Sequence, residues 1–264
     1  MLGRELIFAL IGTGATCLAT VLGAATVFFF RKDMSQKTQQ IFLGFAAGVM
    51  TAAAVFSLLL PAMEQAEAAG KNVIWPVAGG FAIGALFLFV FDRILPHLHI
   101  GSETPEGLPS HWRKTTMLVF AVTLHNIPEG MAVGLAFAGA ALAGGAGALP
   151  AAIALAVGMA LQNFPEGAAV SLPLRSGGVR KGTAFLCGAA SGIVEPVFGI
   201  LAVLVAGTVS GLMPWALSFA AGAMIYVVVE ELIPEAHLGE HSHIGTASVL
   251  IGFFVMMILD IAIG

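Results

Sequence analysis

Charged side chains are scarce in this sequence. Of its 264 residues, 11 are Lys or Arg and 15 are Asp or Glu, so 10% are charged while 58% are hydrophobic. A typical soluble domain has about 25% charged residues. The mean hydropathy of +0.97 therefore indicates that most of the chain lies in a lipid bilayer. The formal net charge of −4 provides no basic surface for nucleic acid, and none is expected as a partner.

Cysteine, tyrosine and phosphate-binding loops are also nearly absent. The two cysteines, Cys17 and Cys187, fall inside apolar runs, where small packing residues are expected and not a disulfide or a zinc knuckle. The sequence has no G-x-x-x-x-G-K-[ST] loop, so nothing indicates an ATPase. With one tyrosine, Tyr226, the chain shows no aromatic cage, which makes a carrier of organic cations the weakest functional alternative.

Long apolar runs are what the sequence has in abundance. A transmembrane helix needs about 20 apolar residues. We identify eight such runs, near 6–30, 41–64, 73–96, 114–139, 148–173, 182–208, 213–237 and 246–263. They predict a single all-α, polytopic membrane domain over residues 1–264. The first run resembles a signal sequence, but it is too long and lacks a small-residue cleavage site, so we count it as a helix.

The basic residues predict the orientation of these helices, because Lys and Arg in short loops are retained in the cytoplasm. Arg4 and Lys71 lie on one side of the predicted membrane. The other nine of the 11 lie on the opposite side: Arg31, Lys32, Lys37, Arg93, Arg113, Lys114, Arg175, Arg180 and Lys181. Both termini are therefore expected to be extracytoplasmic. The short loops favour a bacterial cytoplasmic (inner) membrane.

Two internal echoes suggest a repeated architecture. "GFAAGVM" in the second run, followed by Pro61, resembles "SFAAGAM" in the seventh run, followed by Pro234. "LHNIPEGMAVG" in the fourth run resembles "LQNFPEGAAV" in the fifth. In the predicted topology the members of each pair run in opposite directions, as in the inverted repeats of transporters. We therefore expect a 3+2+3 inverted-repeat arrangement, with chance or shared packing as the alternative for the shorter echo.

The N-x-P-E-G clusters are polar islands within apolar helices. In each, two polar residues spaced i,i+4 share a helix face and an asparagine lies beside them: His125, Glu129 and Asn126 in one, Gln162, Glu166 and Asn163 in the other. Pro128 and Pro165 each remove a backbone N–H, which frees the carbonyl four residues earlier. Gly130 and Gly167, after each glutamate, would let another helix approach closely.

We expect three glutamates to lie in the membrane interior: Glu129, Glu166 and, in "SGIVEPVFG", Glu195. An ionised carboxylate at the bilayer centre costs about 2.5–3.5 kcal/mol on insertion scales. Every Lys and Arg lies at a helix end, so a divalent metal is the expected source of compensating positive charge. Carboxylates, an imidazole and amides suit Zn²⁺, Fe²⁺, Mn²⁺ or Cd²⁺. The alternative is that the glutamates are protonated and hydrogen-bonded in packed helices.

"HNIPEG", "QNFPEG" and "VEP" in the fourth, fifth and sixth of eight helices resemble the ZIP (Zrt-, Irt-like protein) family of divalent-metal transporters, nearest its bacterial GufA-type branch. The resemblance implies import of metal into the cytoplasm through a binuclear site between the fourth and fifth helices. The implied ligands of the first metal are His125, Glu129, Gln162 and Glu166, with Met50 as an additional candidate. Those of the second are Asn126, Asn163 and Glu195, with Glu129 and Glu166 bridging.

The chain departs from the commonest pattern of that family in two ligands. Many members carry His where this chain has Gln162, and some carry Asp where it has Asn163. An amide in place of an imidazole or a carboxylate makes the ligand set weaker and harder. We therefore expect transport of zinc together with cadmium, iron or manganese, and no separate cofactor. An intramembrane zinc hydrolase, in which metal-bound water attacks a substrate, is the alternative function.

Further candidate residues lie at the predicted helix ends. Glu64 and Glu67 could attract cations to an outer entrance, although solvated helix-end acids are common. Six histidines are expected on the cytoplasmic side, where with Glu235 and Glu240 they could receive or sense metal: His97, His99, His111, His237, His241 and His243. Whether the chain forms a homodimer is left open.

Overall fold

A computed structural model describes residues 2–30, 35–70, 72–97, 107–109, 114–143, 148–208, 211–236 and 243–263. Long helices account for most of these residues, as the apolar runs predict. Their bounds are α1 Leu2–Ala25, α2 Gln36–Ala52, α3 Leu60–Ala68, α4 Gly80–Ile94, α5 Lys114–Ala143, α6 Ala148–Ser176, α7 Lys181–Gly192, α8 Val194–Thr208, α9 Met213–Val227, α10 Ile233–Ala236 and α11 His243–Ile263.

Six helical stretches within the described ranges are long and apolar enough to cross a membrane. They are Gly3–Phe28, Gln36–Ala68, Trp75–Ile94, Lys181–Ala206, Met213–Ala236 and His243–Ile263, which correspond to the first three and last three predicted spans. Helices α5 and α6 fill the remaining two and are 30 and 29 residues long. They carry the polar motifs, and their membrane crossing stays a prediction, as does the outer position of both termini.

Prolines coincide with π-helical turns at two related places. The π-helical segment Ala53–Leu59 joins α2 to α3 and precedes Pro61, and the segment Val228–Leu232 joins α9 to α10 and precedes Pro234. Proline has no N–H to donate and its ring crowds the preceding turn, and a π-turn is a known adjustment within a helix. The two segments that echo each other in sequence therefore share a backbone irregularity as well.

The sixth predicted span is divided into two helices. Helix α7 ends at Gly192 and α8 begins at Val194, and the N–H of Ile193 donates to the carbonyl of Ala190, three residues earlier, at 3.2 Å. The apolar run 182–208 predicts one continuous helix and gives no sign of this break. As a consequence Glu195 lies in the first turn of α8, where the helix dipole favours a negative charge.

Glycines bring two helix pairs, α2 with α11 and α4 with α9, into backbone contact. A side chain at any of four glycines would collide with a carbonyl oxygen of the partner helix. The contacts are Gly48 to Val249 and Gly252 to Phe45 in one pair, and Gly222 to Phe81 and Gly84 to Phe219 in the other. Gly48 and Phe45 of "GFAAGVM" thus have the same packing role as Gly222 and Phe219 of "SFAAGAM". The two echoing segments therefore have equivalent helix contacts, and the inverted repeat with opposite membrane directions stays a prediction.

The helices form two groups that meet beside the polar motifs. Helix α1 packs along α6, α5 packs along α8, and α1 also contacts α5, α7 and α8. In the other group α2 packs with α11 and α4 with α9. The groups meet where α5 contacts α9 and where α6 contacts α2 and α11. Buried methionines fill part of this boundary, and the motifs of α5 and α6 lie next to it: Met50, Met159, Met224 and Met256.

Candidate metal site

Both N-x-P-E-G motifs lie within continuous helices. Pro128 is inside α5 and Pro165 is inside α6, and neither proline ends its helix. The polar side chains that they carry are removed from solvent, as is Glu195 at the start of α8. The exposed fractions are 0% for Asn126, Gln162, Asn163 and Glu195, 1% for Glu129 and 8% for Glu166. The predicted site residues are therefore buried without a Lys or Arg among them.

The three predicted glutamates form one electrostatic cluster. Glu129 lies close enough to Glu166 and Glu195 for their charges to interact, and Glu166 interacts with Glu195. Like charges in a medium of low dielectric repel strongly. The structure thus brings together carboxylates from α5, α6 and α8, as the motifs predict.

Glycines allow the helices of this cluster to approach. A side chain at Gly130 of α5 would collide with the backbone of Glu195, and a side chain at Gly167 of α6 would collide with the carbonyl of Thr20 in α1. The expectation that the glycine after each glutamate admits a neighbouring helix is confirmed. Each motif therefore lies directly against a second helix, α8 for the first motif and α1 for the second.

Glu195 is hydrogen-bonded at both carboxylate oxygens. Its Oε1 accepts from Thr20 Oγ1 at 3.2 Å, and its Oε2 accepts from Asn163 Nδ2 at 2.9 Å. Asn163 Nδ2 also donates to the carbonyl of Thr16 at 3.3 Å, while Asn163 Oδ1 accepts from Gln162 Nε2 at 2.9 Å. This chain of hydrogen bonds runs from α6 to α8 and α1. Thr20 and Thr16 were missed by the sequence analysis because threonine in an apolar helix is ordinary.

Glu129 presents the opposite situation. Within the described part of the chain, neither of its carboxylate oxygens has a hydrogen-bond partner of good geometry, although the Gln162 side chain lies close enough to interact with them. Glu166 Oε2, Gln162 Oε1 and Asn126 Oδ1 in the same part of the chain also lack a partner. Asn126 Nδ2 donates to the carbonyl of Ser191 at 2.8 Å, which leaves the Oδ1 atom of the amide for another partner. A buried polar group without a partner costs about 1–3 kcal/mol. Five such oxygens in one cluster are a set of acceptors for a cation.

His125 faces a carboxylate that the sequence analysis did not include. Its Nε2 lies 2.5 Å from Glu231 Oε1, and the two side chains are 12% and 7% exposed. Glu231 belongs to the π-helical segment after α9 and interacts electrostatically with Glu166. The prediction of three intramembrane carboxylates is therefore wrong, because Glu231 is a fourth buried carboxylate beside them. The signal was the "EE" of residues 230–231 within an apolar run, where Glu230 is exposed and Glu231 is buried.

Other predicted ligands lie elsewhere or stay unassigned. Met50 is fully buried in the hydrophobic cluster between the helix groups, and its role as a ligand stays a prediction. Among the residues that the structure describes, no three His, Cys, Asp or Glu side chains are arranged to hold a metal ion. His125 is directed to Glu231 and Glu195 is held by Thr20 and Asn163, so metal binding would require these partners to be exchanged.

The predicted cytoplasmic histidines are described in part. His97 lies 2% exposed after α4, with Nε2 3.0 Å from Asp92 Oδ1 and Nδ1 2.8 Å from the carbonyl of Leu95. Tyr226 of α9 donates to Asp92 Oδ2 at 3.1 Å. His243 begins α11 and Glu235 is buried in α10. Four histidines and one glutamate lie outside the described residues: His99, His111, His237, His241 and Glu240.

A cavity of about 500 Å³ lies between α3, α5, α6, α9, α11 and the π-helical segment Ala53–Leu59. Its lining includes Glu64, Gln65, Ser57 and Asp260. Ser57 Oγ donates to Asp260 Oδ1 at 3.0 Å. Glu64, a candidate entrance residue from the sequence, therefore shares a cavity with a second carboxylate. Glu67, the other candidate, is an exposed residue near the end of α3.

Comparison with known proteins identifies the family of the chain. Residues 102–260 match the family model described as "ZIP Zinc transporter". The chain is 38% identical to zinc transporter GufA of Myxococcus xanthus, with 93% of this chain and 95% of the relative covered. It is 38% identical to zinc transporter ZIPB of Bordetella bronchiseptica over 97% of this chain and 82% of the relative. It is 35% identical to human zinc transporter ZIP11 over 99% of both chains.

These matches cover nearly the whole chain, and the relatives are named as transporters. They confirm the family that the motifs predict, and they decide between the transporter and the hydrolase. Together with the apolar helices, they identify an integral membrane protein. The chain therefore belongs to the ZIP zinc transporter family, which makes it a transporter of metal ions and not an enzyme.

Proposed function

We propose that this chain carries divalent transition-metal ions, zinc together with cadmium, iron or manganese, into the cytoplasm through a binuclear site between α5 and α6. The observation that carries the proposal is the set of buried oxygens on Glu129, Glu166, Gln162 and Asn126 that have no hydrogen-bond partner among the residues that the structure describes. Oxygen and nitrogen donors of this type suit borderline and hard divalent cations. The names of the relatives support zinc as one of the ions.

The first metal position would use His125, Glu129, Gln162 and Glu166. Both oxygens of Glu129, Oε2 of Glu166 and Oε1 of Gln162 are available as acceptors. His125 Nε2 must leave Glu231 in order to bind the ion, because the nitrogen cannot serve both partners at once. Met50 would approach from α2 as a thioether ligand. Exchange of His125 between the ion and Glu231 would pass the ion toward α9.

The second metal position would use Asn126, Asn163 and Glu195, with Glu129 and Glu166 bridging the two ions. Asn126 Oδ1 is available to bind the ion. Asn163 Nδ2 already donates to Glu195, and Asn163 Oδ1 already accepts from Gln162. An ion at this position would have to share or displace the hydrogen bonds of Glu195. Three of its direct ligands are amides or a hydrogen-bonded carboxylate, so this position should be the weaker of the two.

Two further side-chain pairs, each with at least one carboxylate, would mark the ends of the path. Ser57 lies nine residues after Gly48, as Glu231 lies nine after Gly222, and Asp260 lies 11 after Val249, as Asp92 lies 11 after Phe81. These positions correspond in the two glycine-mediated helix pairs. Ser57 bonds Asp260 beside the cavity that Glu64 lines, and Glu231 interacts with Asp92 beside His97. The first pair would receive ions at the outer side, and the second would release them at the cytoplasmic side.

The membrane potential can drive this direction of transport. An inside-negative potential contributes about 2.3 kcal/mol per charge per 100 mV, and about twice that for a divalent ion. We place the chain in a bacterial cytoplasmic membrane with both termini outside, on the basis of its loop charges. Movement of the α1–α5–α6–α7–α8 group against the other group would alternate access to the site, since His125 of the first group contacts Glu231 of the other.

Uptake of Zn²⁺, Cd²⁺, Mn²⁺ and Fe²⁺ into sealed proteoliposomes tests the proposal. The unaltered protein should give saturable uptake, and His125→Ala, Glu129→Ala and Glu166→Ala should each lose it at matched amounts and verified folding. Glu230→Ala, which changes an exposed acid beside Glu231, is the control and should transport normally. Absence of flux for all four ions in the unaltered protein would contradict the proposal.

A further inference from the structure

We propose that Thr20 of α1 is a positioning residue for the second metal, because it fixes the carboxylate of Glu195. The inference rests on the proposed binuclear site. Neither the motifs nor the family match singles out α1. Helix α1 is largely apolar, but it contains three threonines that are all 0% exposed: Thr13, Thr16 and Thr20.

The three hydroxyl groups do not have the same partners. Thr13 Oγ1 donates to the carbonyl of Ala9 at 2.7 Å, and Thr16 Oγ1 donates to the carbonyl of Thr13 at 3.0 Å. Both bonds stay within α1, as is common for threonine in helices, although the Thr16 hydroxyl also lies close enough to the carboxylate of Glu195 to interact with it. Thr20 Oγ1 instead lies 3.2 Å from Glu195 Oε1 and 3.5 Å from the carbonyl of Thr16. A hydroxyl has one proton to donate, and the shorter contact is to the charged acceptor, which forms the stronger bond.

The packing around Thr20 holds its side chain in place. Gly192 at the end of α7 lies so close that an added Cβ would be 2.9 Å from Thr20 Cβ and 3.1 Å from Oγ1. Gly167 of α6 lies against the carbonyl of Thr20. Thr20 is therefore enclosed where α1, α6 and the break between α7 and α8 meet. A side chain confined in this way cannot easily turn its hydroxyl away from Glu195.

Thr20 and Asn163 bind different oxygens of the same carboxylate. Thr20 holds Oε1 and Asn163 holds Oε2, so together they fix the plane of the carboxylate and the direction of its remaining lone pairs. Partners that orient a metal ligand without touching the metal commonly contribute about 10–100-fold to metal affinity. Loss of the Thr20 hydroxyl should thus weaken the metal that Glu195 binds and spare the one that His125 binds.

The test is calorimetric titration of Zn²⁺ into purified protein in detergent, which reads metal binding without transport. His125→Ala identifies the binding event of the first metal. Thr20→Val keeps the branched shape and removes the hydroxyl, and it should weaken the other event about 10-fold or more. Thr20→Ser should restore that event, because it retains the donor. Thr13→Val, which removes a hydroxyl bonded only within α1, should bind both metals as the unaltered protein does.

The outcomes separate the inference from the proposed function. If Thr20→Val bound both metals with the affinities of the unaltered protein, the inference would be overturned and the binuclear transporter would stay intact. Equal weakening of both events, or the same loss in Thr13→Val, would also overturn it, since either result indicates a general effect on α1. Failure of the unaltered protein to bind zinc would contradict the proposed function itself.

Discussion

The two N-x-P-E-G motifs are nearly the same in sequence, yet their neighbours differ in the structure. In α5, His125 pairs with Glu231 across the boundary between the helix groups, and both oxygens of Glu129 lack a hydrogen-bond partner within the described ranges. In α6, Gln162 and Asn163 belong to a hydrogen-bonded chain that ends on Glu195 within one helix group. The side chains of the first motif can therefore exchange partners, whereas those of the second are fixed by hydrogen bonds.

The largest difference in metal uptake is expected between variants of Glu129, in the first motif, and variants of Glu195, to which the second motif is hydrogen-bonded. Glu129→Gln removes a charge from a side chain assigned to both metal positions, so uptake should fall by about 100-fold or more, beyond the usual effect of an outer-sphere partner. Glu195→Gln affects the second position alone and should reduce uptake by about 10-fold. Radioactive zinc uptake into proteoliposomes, with Glu67→Gln as the exposed control, measures both. Equal losses in the two variants would remove the distinction between the motifs.

The glycines that follow the two glutamates should be similarly intolerant of a side chain. Gly130→Ala would press on the backbone of Glu195 and Gly167→Ala on the carbonyl of Thr20, and overpacking of this kind costs about 1–3 kcal/mol. Thermal unfolding in detergent should therefore occur at lower temperature in both. Gly14→Ala in α1, where nothing lies within 4 Å of an added Cβ, should unfold like the unaltered protein. Tolerance of either motif variant would show that its helix contact is looser than described.

Removal of the charge that pairs with His125 should have a moderate effect. Glu231→Gln keeps the size of the side chain but weakens its attraction for His125, so the histidine should reach the ion more readily and release it less readily. We expect tighter zinc binding and severalfold slower uptake. Glu230→Gln, at the exposed neighbouring position, is the matched control. Faster uptake in Glu231→Gln would contradict the exchange of partners by His125.

The smallest expected change makes the second motif resemble the first. Gln162→His replaces an amide by an imidazole, which favours zinc over harder ions such as Mn²⁺. The ratio of zinc to manganese uptake should rise a fewfold while total uptake changes little. Competition between the two ions in the same proteoliposomes gives this ratio. An unchanged ratio would show that Gln162 does not contact the transported ion.

Much of the architecture follows from local sequence. Apolar runs specify six of the membrane helices, and the glycines of "GFAAGVM" and "SFAAGAM" specify two close helix pairs. The break at Ile193 was not predicted, because Gly192 and Pro196 do not interrupt the hydrophobic run. Hydrophobicity records whether a segment enters the membrane, but a kink depends on backbone hydrogen bonds that the run does not reveal.

The candidate site was predictable only where its residues form a motif. His125, Glu129 and Glu166 stand out because polar residues are costly in apolar helices. Thr20 lies in α1 and Glu231 lies in the segment after α9. Both are far from the motifs in sequence, and they join the site only through tertiary packing. Threonine carries little penalty in a helix within the membrane, since it can bond its own backbone. Its partner on another helix is visible only in three dimensions.

The binuclear site can be observed by zinc anomalous diffraction from crystals of the unaltered protein. We expect two zinc ions with carboxylate oxygens of Glu129 and Glu166 at about 2.0–2.2 Å from them, with His125 moved from Glu231 to one ion and Glu195 directed at the other. Zinc bound away from Glu129 and Glu166, with His125 still paired to Glu231, would contradict the binuclear site.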